Sequence, residues 1–186
     1  MALAMEKPLT WADYEKLPDD GMRYEIIEGV LFMSNAPAWM HQRAVMRLGT
    51  IIENLSAQLG RGGAVIHAPF EVHLSSRSRP VQPDLVYIAP EHMPAESPAF
   101  FEGAPDIVFE VISPSSVRVD RHIKFGAYEQ AGVTEYWRID PATRSVEVYV
   151  LARQEYALLG QFSGEAVARS QVLPELEVPV SELFAR

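Results

Sequence analysis

APDIVFEVISPSSVRVDRHIKFGAYEQAGVTEYWRIDP, residues 104–141, reads as strand, helix, strand with short links, and that order favours a parallel crossover within one sheet. In the first strand, Asp106 to Ile112, Ile107, Phe109 and Val111 point to one face and Val108, Glu110 and Ile112 to the other. Both faces are apolar, so the strand is expected inside the sheet. Glu110 then sits mid-strand among bulky neighbours, where an unsatisfied polar group costs roughly 2–7 kcal/mol and a charge more. A compensating partner is required. Ser113-Pro114-Ser115-Ser116 breaks the strand, and a helix is expected from near Asp120 to Gly132, which suits a C-terminal cap. Asp120, Lys124 and Tyr128 share one face of it, at i, i+4 and i+8. The chain has only three lysines, Lys7, Lys16 and Lys124, against thirteen arginines, which makes Lys124 conspicuous. Gly132-Val133-Thr134 returns the chain to the second strand, Glu135 to Asp140.

Working outward, Arg144 to Leu151 pairs with that strand through a turn at Asp140-Pro141-Ala142-Thr143, and Tyr156 to Phe162 adds an edge strand. Leu173 to Phe184 closes the chain. Upstream, Pro83 to Ile88 forms a strand with Asp84 at its start, after a proline that suits that position. Pro90 to Pro105, rich in proline and acids, reads as a mobile surface loop. Ala64 to Leu74 supplies one or two strand segments broken at Pro69. Trp39 to Leu59 is a long scaffold helix ended by Gly60, with apolar positions at Val45, Leu48, Ile51, Ile52, Leu55 and Leu59. Arg23 to Met33 reads as a hairpin turning at Glu28-Gly29, with Glu25 in its first arm, and Thr10 to Leu17 as a short helix capped by Thr10.

With 186 residues and 48% hydrophobic composition, the chain can bury the core of one domain. It has no cysteine, which removes disulfides, thiolate metal sites and cysteine nucleophiles. Any metal is held by oxygen or histidine. No apolar run reaches the roughly 18 residues of a membrane span and no signal peptide opens the chain, so the expectation is a soluble cytoplasmic protein. The net charge of −9 argues against nonspecific coating of nucleic acid, but it leaves room for a local basic cleft built from Arg77, Arg79, Arg118, Arg121, Lys124 and Arg138.

A Pro-Asp pair opening one strand, an acid inside the next and a lysine close behind can hold a divalent cation and polarise a phosphate. Mg²⁺ or Mn²⁺ prefers oxygen donors, usually one or two protein carboxylates, with water and phosphate completing the shell. An ammonium nearby stabilises charge that develops during the reaction. Competing structural readings are a turn-capping aspartate for Asp84, a buried ion pair for Glu110 with Lys124, and a sheet-edge salt bridge for Glu25. His41, His67, His73, His92 and His122 lack metal-ligand spacing and read as surface or satisfied histidines. Tyr128 and Trp137 read as core.

PDLVYI, PDIVFEVISPSS and DRHIKFGAYEQAGVTEYWRIDP together resemble the Uma2 family of bacterial proteins, within the PD-(D/E)XK restriction-endonuclease-like superfamily. The resemblance runs from RYEIIEGVL to LPELEVPVSELF. It implies an α/β fold: a central mixed sheet with Asp84 and Glu110 on neighbouring strands, flanked by the Trp39 to Leu59 helix and the Asp120 to Ala131 helix. It also implies Asp84 and Glu110 as metal ligands, a backbone carbonyl from Val111 as a third, and Glu25 as the family's early glutamate. The usual superfamily lysine lies two residues after the acid, where this chain has Ile112; Uma2-like sequences resemble members in which the lysine has migrated to the next helix, and Lys124 is that candidate. The implied activity is Mg²⁺- or Mn²⁺-dependent endonucleolytic hydrolysis of DNA, by a homodimer in analogy with nucleases that cut both strands. The alternative is a catalytically idle binding or regulatory protein on the same fold.

Overall fold

The computed structural model describes residues 9, 11–14, 16–18, 23–27, 30–34, 37–60, 63–74, 80–113 and 123–185. In chain order the elements are α1 (Trp11–Tyr14), the hairpin β1 (Arg23–Ile27) and β2 (Val30–Ser34), the long helix α2 (Trp39–Leu59), β3 (Ala64–His67), β4 (Glu71–His73), β5 (Leu85–Ile88), β6 (Phe100–Glu102) and β7 (Ile107–Val111). Then follow α3 (Phe125–Ala131), β8 (Glu135–Asp140), β9 (Ser145–Ala152), β10 (Glu155–Ser163), β11 (Val167–Arg169), β12 (Glu177–Pro179) and α4 (Val180–Leu183). Six strands form the central sheet in the order β10-β9-β8-β7-β5-β3. Only β7 and β8 pair in parallel there, joined by the segment containing α3, so the sheet is mixed.

The alternation of side chains along the strands divides the core into two layers. Leu85, Tyr87, Ile107, Phe109, Trp137 and Ile139 pack against α2 and α4 on one face. Val86, Ile88, Val108 and Tyr136 pack with Tyr128 of α3 on the other. Every residue of β7 is buried, as its two-sided apolar pattern requires. On α2 the buried residues are His41, Ala44, Val45, Leu48, Gly49 and Ile52, an i, i+3, i+4, i+7 stripe, whereas Ile51, Leu55 and Leu59 are only partly buried. Gly60 and Gly132 end α2 and α3 in the left-handed region, at φ 59° and 88°, which a residue without Cβ adopts at no steric cost.

Two local readings change. The helix expected from Asp120 is regular only over Phe125–Ala131, after a wider turn at Ile123 and Lys124. Asp120 itself lies outside the described residues, as do Thr10, Glu28, Gly29, Arg77, Arg79, Arg118, Arg121 and His122. The stretch 90–105 is not a featureless loop: Pro90–His92 forms a 3-10 turn, and β6 pairs in parallel with β4, burying Phe101. Asp106 ties the turn down, accepting from the Ala89 N–H at 2.7 Å and facing His92 Nδ1 at 2.8 Å. The strand containing Glu25 belongs to a separate two-stranded sheet with β2. Among the described residues, no helix is long and apolar enough to cross a membrane.

Candidate active site

Asp84 stands one residue before β5, at the end of the strand where the chain enters the sheet. Leu85 pairs with Phe109 in the antiparallel register of β5 and β7, so Asp84 lies just beyond the last paired position, beside the Glu110–Val111 end of β7. The Val111 N–H donates to Asp84 Oδ2 at 2.9 Å, which holds the carboxylate against the end of β7. Both acids are buried, Asp84 at 5% exposure and Glu110 at 2%.

Each carboxylate is steadied from a different face of the sheet. Lys124 reaches Glu110 from the turn before α3, with Nζ 2.9 Å from Oε1, and the Tyr128 hydroxyl donates to the same oxygen at 2.6 Å. The i, i+4 spacing of Lys124 and Tyr128 therefore delivers two donors to one acid, the compensation that a mid-strand Glu110 demands. From α2, on the opposite face, His41 Nε2 lies 3.0 Å from Asp84 Oδ2. His41 is buried, and its Nδ1 has no hydrogen-bond partner among the described residues.

Asp84 is thus tied to the Val111 N–H, and Lys124 to the adjacent Glu110. Glu25 is placed only by its backbone, on β1; its side chain lies outside the described residues. Arg138 is Glu110's neighbour in register on β8, yet its guanidinium pairs with Glu147, bonds the Tyr149 hydroxyl and lies over the Tyr149 ring, so it does not serve a basic cleft at the acids. Two residues have contacts at the site beyond their sequence reading. Tyr128 is core, as read, but its hydroxyl also bonds Glu110. His41 is a buried histidine whose Nε2 is satisfied by Asp84, a candidate ligand. Its place on the buried stripe of α2, three, four and seven residues before Ala44, Val45 and Leu48, is the signal that could have found it. Glu135 is fully buried too, but it is a structural acceptor for Trp137 Nε1 and the N–H groups of Gln171 and Val172.

The donor set has the chemistry of a hard-cation site. Among the described residues, no three His, Asp or Glu side chains converge. Two carboxylates with a carbonyl nevertheless match the one or two protein carboxylates that Mg²⁺ usually takes. In an extended strand, the N–H and C=O of one residue point to the same side. Because the Val111 N–H points to Asp84, its carbonyl is turned to that side as well. Oxygen donors of this kind suit Mg²⁺ or Mn²⁺, and Asp84, Glu110 and the Val111 carbonyl are the groups here that could hold one.

A family described as "Putative restriction endonuclease", Uma2, matches residues 11–181. The chain belongs to the Uma2 family. The match takes in β1, the α2 helix, the Asp84 and Glu110 strands and α3, so every group at this site lies inside the Uma2 region. No match is found among curated proteins. A solved structure from Anabaena variabilis, described as a "putative nuclease belonging to DUF820", superposes with a TM-score of 0.78 over 96% of this chain and 98% of that one. At 22% identity, that likeness establishes the fold this Uma2 chain shares with it.

Proposed function

We propose that this Uma2 protein is a metal-dependent endonuclease that hydrolyses DNA phosphodiester bonds at the Asp84 and Glu110 site. The observation that carries this reading is Lys124 Nζ, 2.9 Å from Glu110 Oε1. The superfamily's usual lysine position is Ile112, and α3 returns an ammonium to the acid from a different element. Asp84, Glu110 and the Val111 carbonyl would hold Mg²⁺ or Mn²⁺. When bound, such a cation lowers the pKa of its water and neutralises charge on the phosphate. Lys124 supplies a compact positive charge beside the reacting phosphate, where negative charge builds up in the transition state. Tyr128 keeps Glu110 Oε1 hydrogen bonded and so fixes the carboxylate. Glu25 is assigned an assisting role at the metal on the strength of the family likeness. Cutting both strands calls for two such sites, so a homodimer belongs to the proposal, and sedimentation velocity tests it.

One observation favours a second reading, an idle nuclease fold that binds a partner. Lys124 and Tyr128 converge on one Glu110 oxygen, as they would in a purely structural buried pair. Plasmid cleavage with Mg²⁺ or Mn²⁺ separates the two. The nuclease reading expects nicking and linearisation by the wild type and none by Asp84→Asn or Glu110→Gln. Wild-type protein without cleavage, and without Mn²⁺ binding by calorimetry, would establish the idle reading.

A further inference from the structure

The contact between His41 and Asp84 has no role in the reading above, yet it is one of the most enclosed polar contacts in the protein, with the two side chains 9% and 7% exposed. A proton on Nε2 is the only arrangement that suits it. If Nε2 were bare, its lone pair would face Asp84 Oδ2 at 3.0 Å, and a sole proton on Nδ1 would be a buried donor with no partner among the described residues. Oδ2 therefore receives two N–H groups, one from the Val111 backbone and one from the imidazole. Two donors converging on one oxygen oppose rotation about the Cβ–Cγ bond of Asp84, a rotation that would exchange its oxygens.

We infer that His41 is a positioning residue for Asp84: its Nε2–H, presented by the rigid α2 helix, locks the carboxylate in the orientation that receives the divalent cation. This rests on the metal-dependent reading. Partners that orient a ligating carboxylate typically contribute about 10–100-fold to metal affinity. The helix supplies the rigidity, because Ala44, Val45 and Leu48 anchor the same stripe in the core.

The matched pair His41→Gln and His41→Leu tests it, with Mn²⁺ binding read by calorimetry and by the electron paramagnetic resonance of free Mn²⁺. Glutamine keeps an N–H donor near the place of Nε2, and leucine fills similar space with none. The expected result is Mn²⁺ affinity about 10–100-fold weaker in His41→Leu and largely recovered in His41→Gln. Wild-type affinity in folded His41→Leu would overturn the inference, and so would equal weakening in both variants, which would signal a packing loss rather than a lost donor. Should the leucine variant fail to fold, His41→Ala takes its place in the same comparison. Absence of Mn²⁺ binding in the wild type itself overturns the metal reading and the inference together, and is told apart because it appears before any His41 variant is made.

Discussion

Replacing Lys124 by methionine separates transition-state stabilisation from structural pairing, because the two make different demands on a double variant. Lys124 is 3% exposed and Glu110 2%, and the ammonium lies 2.9 Å from Oε1. Methionine preserves most of the volume of the lysine stem but leaves Glu110 with a lost cationic donor in a buried setting. Breaking one partner out of such a pair costs about 3–5 kcal/mol, whereas replacing both by neutral groups of similar shape is often close to neutral. Lys124→Met is therefore expected to lower urea-unfolding stability by about 3–5 kcal/mol, and adding Glu110→Gln to restore most of it. Cleavage behaves otherwise. Plasmid nicking per folded molecule is expected to fall by roughly two to three orders of magnitude in Lys124→Met, the usual loss for one electrostatic stabiliser, and to stay lost in the stable double variant. Arginine should rescue poorly, since its planar fork differs from a compact ammonium. Cleavage by folded Lys124→Met equal to that of the wild type would refute the role assigned to Lys124 and leave only the ion pair.

Tyr128→Phe removes a 2.6 Å hydrogen bond to a buried carboxylate; a loss of about 1.5–3 kcal/mol in urea unfolding is expected, and an unchanged midpoint would show the bond to be dispensable. Glu135→Ala strips the acceptor from Trp137 Nε1 and from the N–H groups of Gln171 and Val172. At about 1–3 kcal/mol for each buried donor left unmatched, the variant should unfold at markedly lower temperature in a calorimetric scan, and a wild-type melting temperature would contradict this account. Burial, with a smaller push from Glu129, raises the Tyr156 phenol well above the ordinary tyrosine range, and its hydroxyl donates to the Val133 carbonyl at 2.9 Å. Its neutral form is favoured in the folded state, so this contribution is complete below about pH 10, where the unfolded phenol titrates, and declines above it. Between pH 10 and 11.5, wild-type stability should fall more steeply than that of Tyr156→Phe, by up to about 1.4 kcal/mol per pH unit, and parallel slopes in urea titrations would exclude the effect.

Much of this architecture could be read from side-chain periodicity. Apolar residues on both sides of 107–111 require an internal strand, and β7 is buried throughout with β5 and β8 beside it. The short glycine-ended link from α3 to β8 requires the parallel crossover that the sheet shows. The turn at 140–143 requires the antiparallel return of β9, and β10 follows as the edge. These are local patterns, and each residue carries its part of them along the chain. Bringing Asp84 against the end of β7 is a different kind of fact, because it depends on the register between strands separated by the whole of the 89–106 connection. That connection holds order through β6 pairing with β4, a contact that no property of its proline-rich sequence announces.

The sequence by itself supplied the acids, the unusual lysine and the family likeness that gathers them, since composition and motif spacing are written in one dimension. Tertiary structure decided which donors meet which oxygens: Lys124 and Tyr128 on Glu110 from one face of the sheet, Val111 on Asp84 from the end of the neighbouring strand and His41 on Asp84 from the other face. His41 and Asp84 are 43 residues apart and belong to different elements, so only the packing of α2 across the sheet brings them to 3.0 Å. Arg138 shows the converse, for it neighbours Glu110 in register and is nonetheless turned away by the closer demand of Glu147. A charge is assigned its partner by the competition among all the groups within its reach, and that competition exists only once the chain has folded.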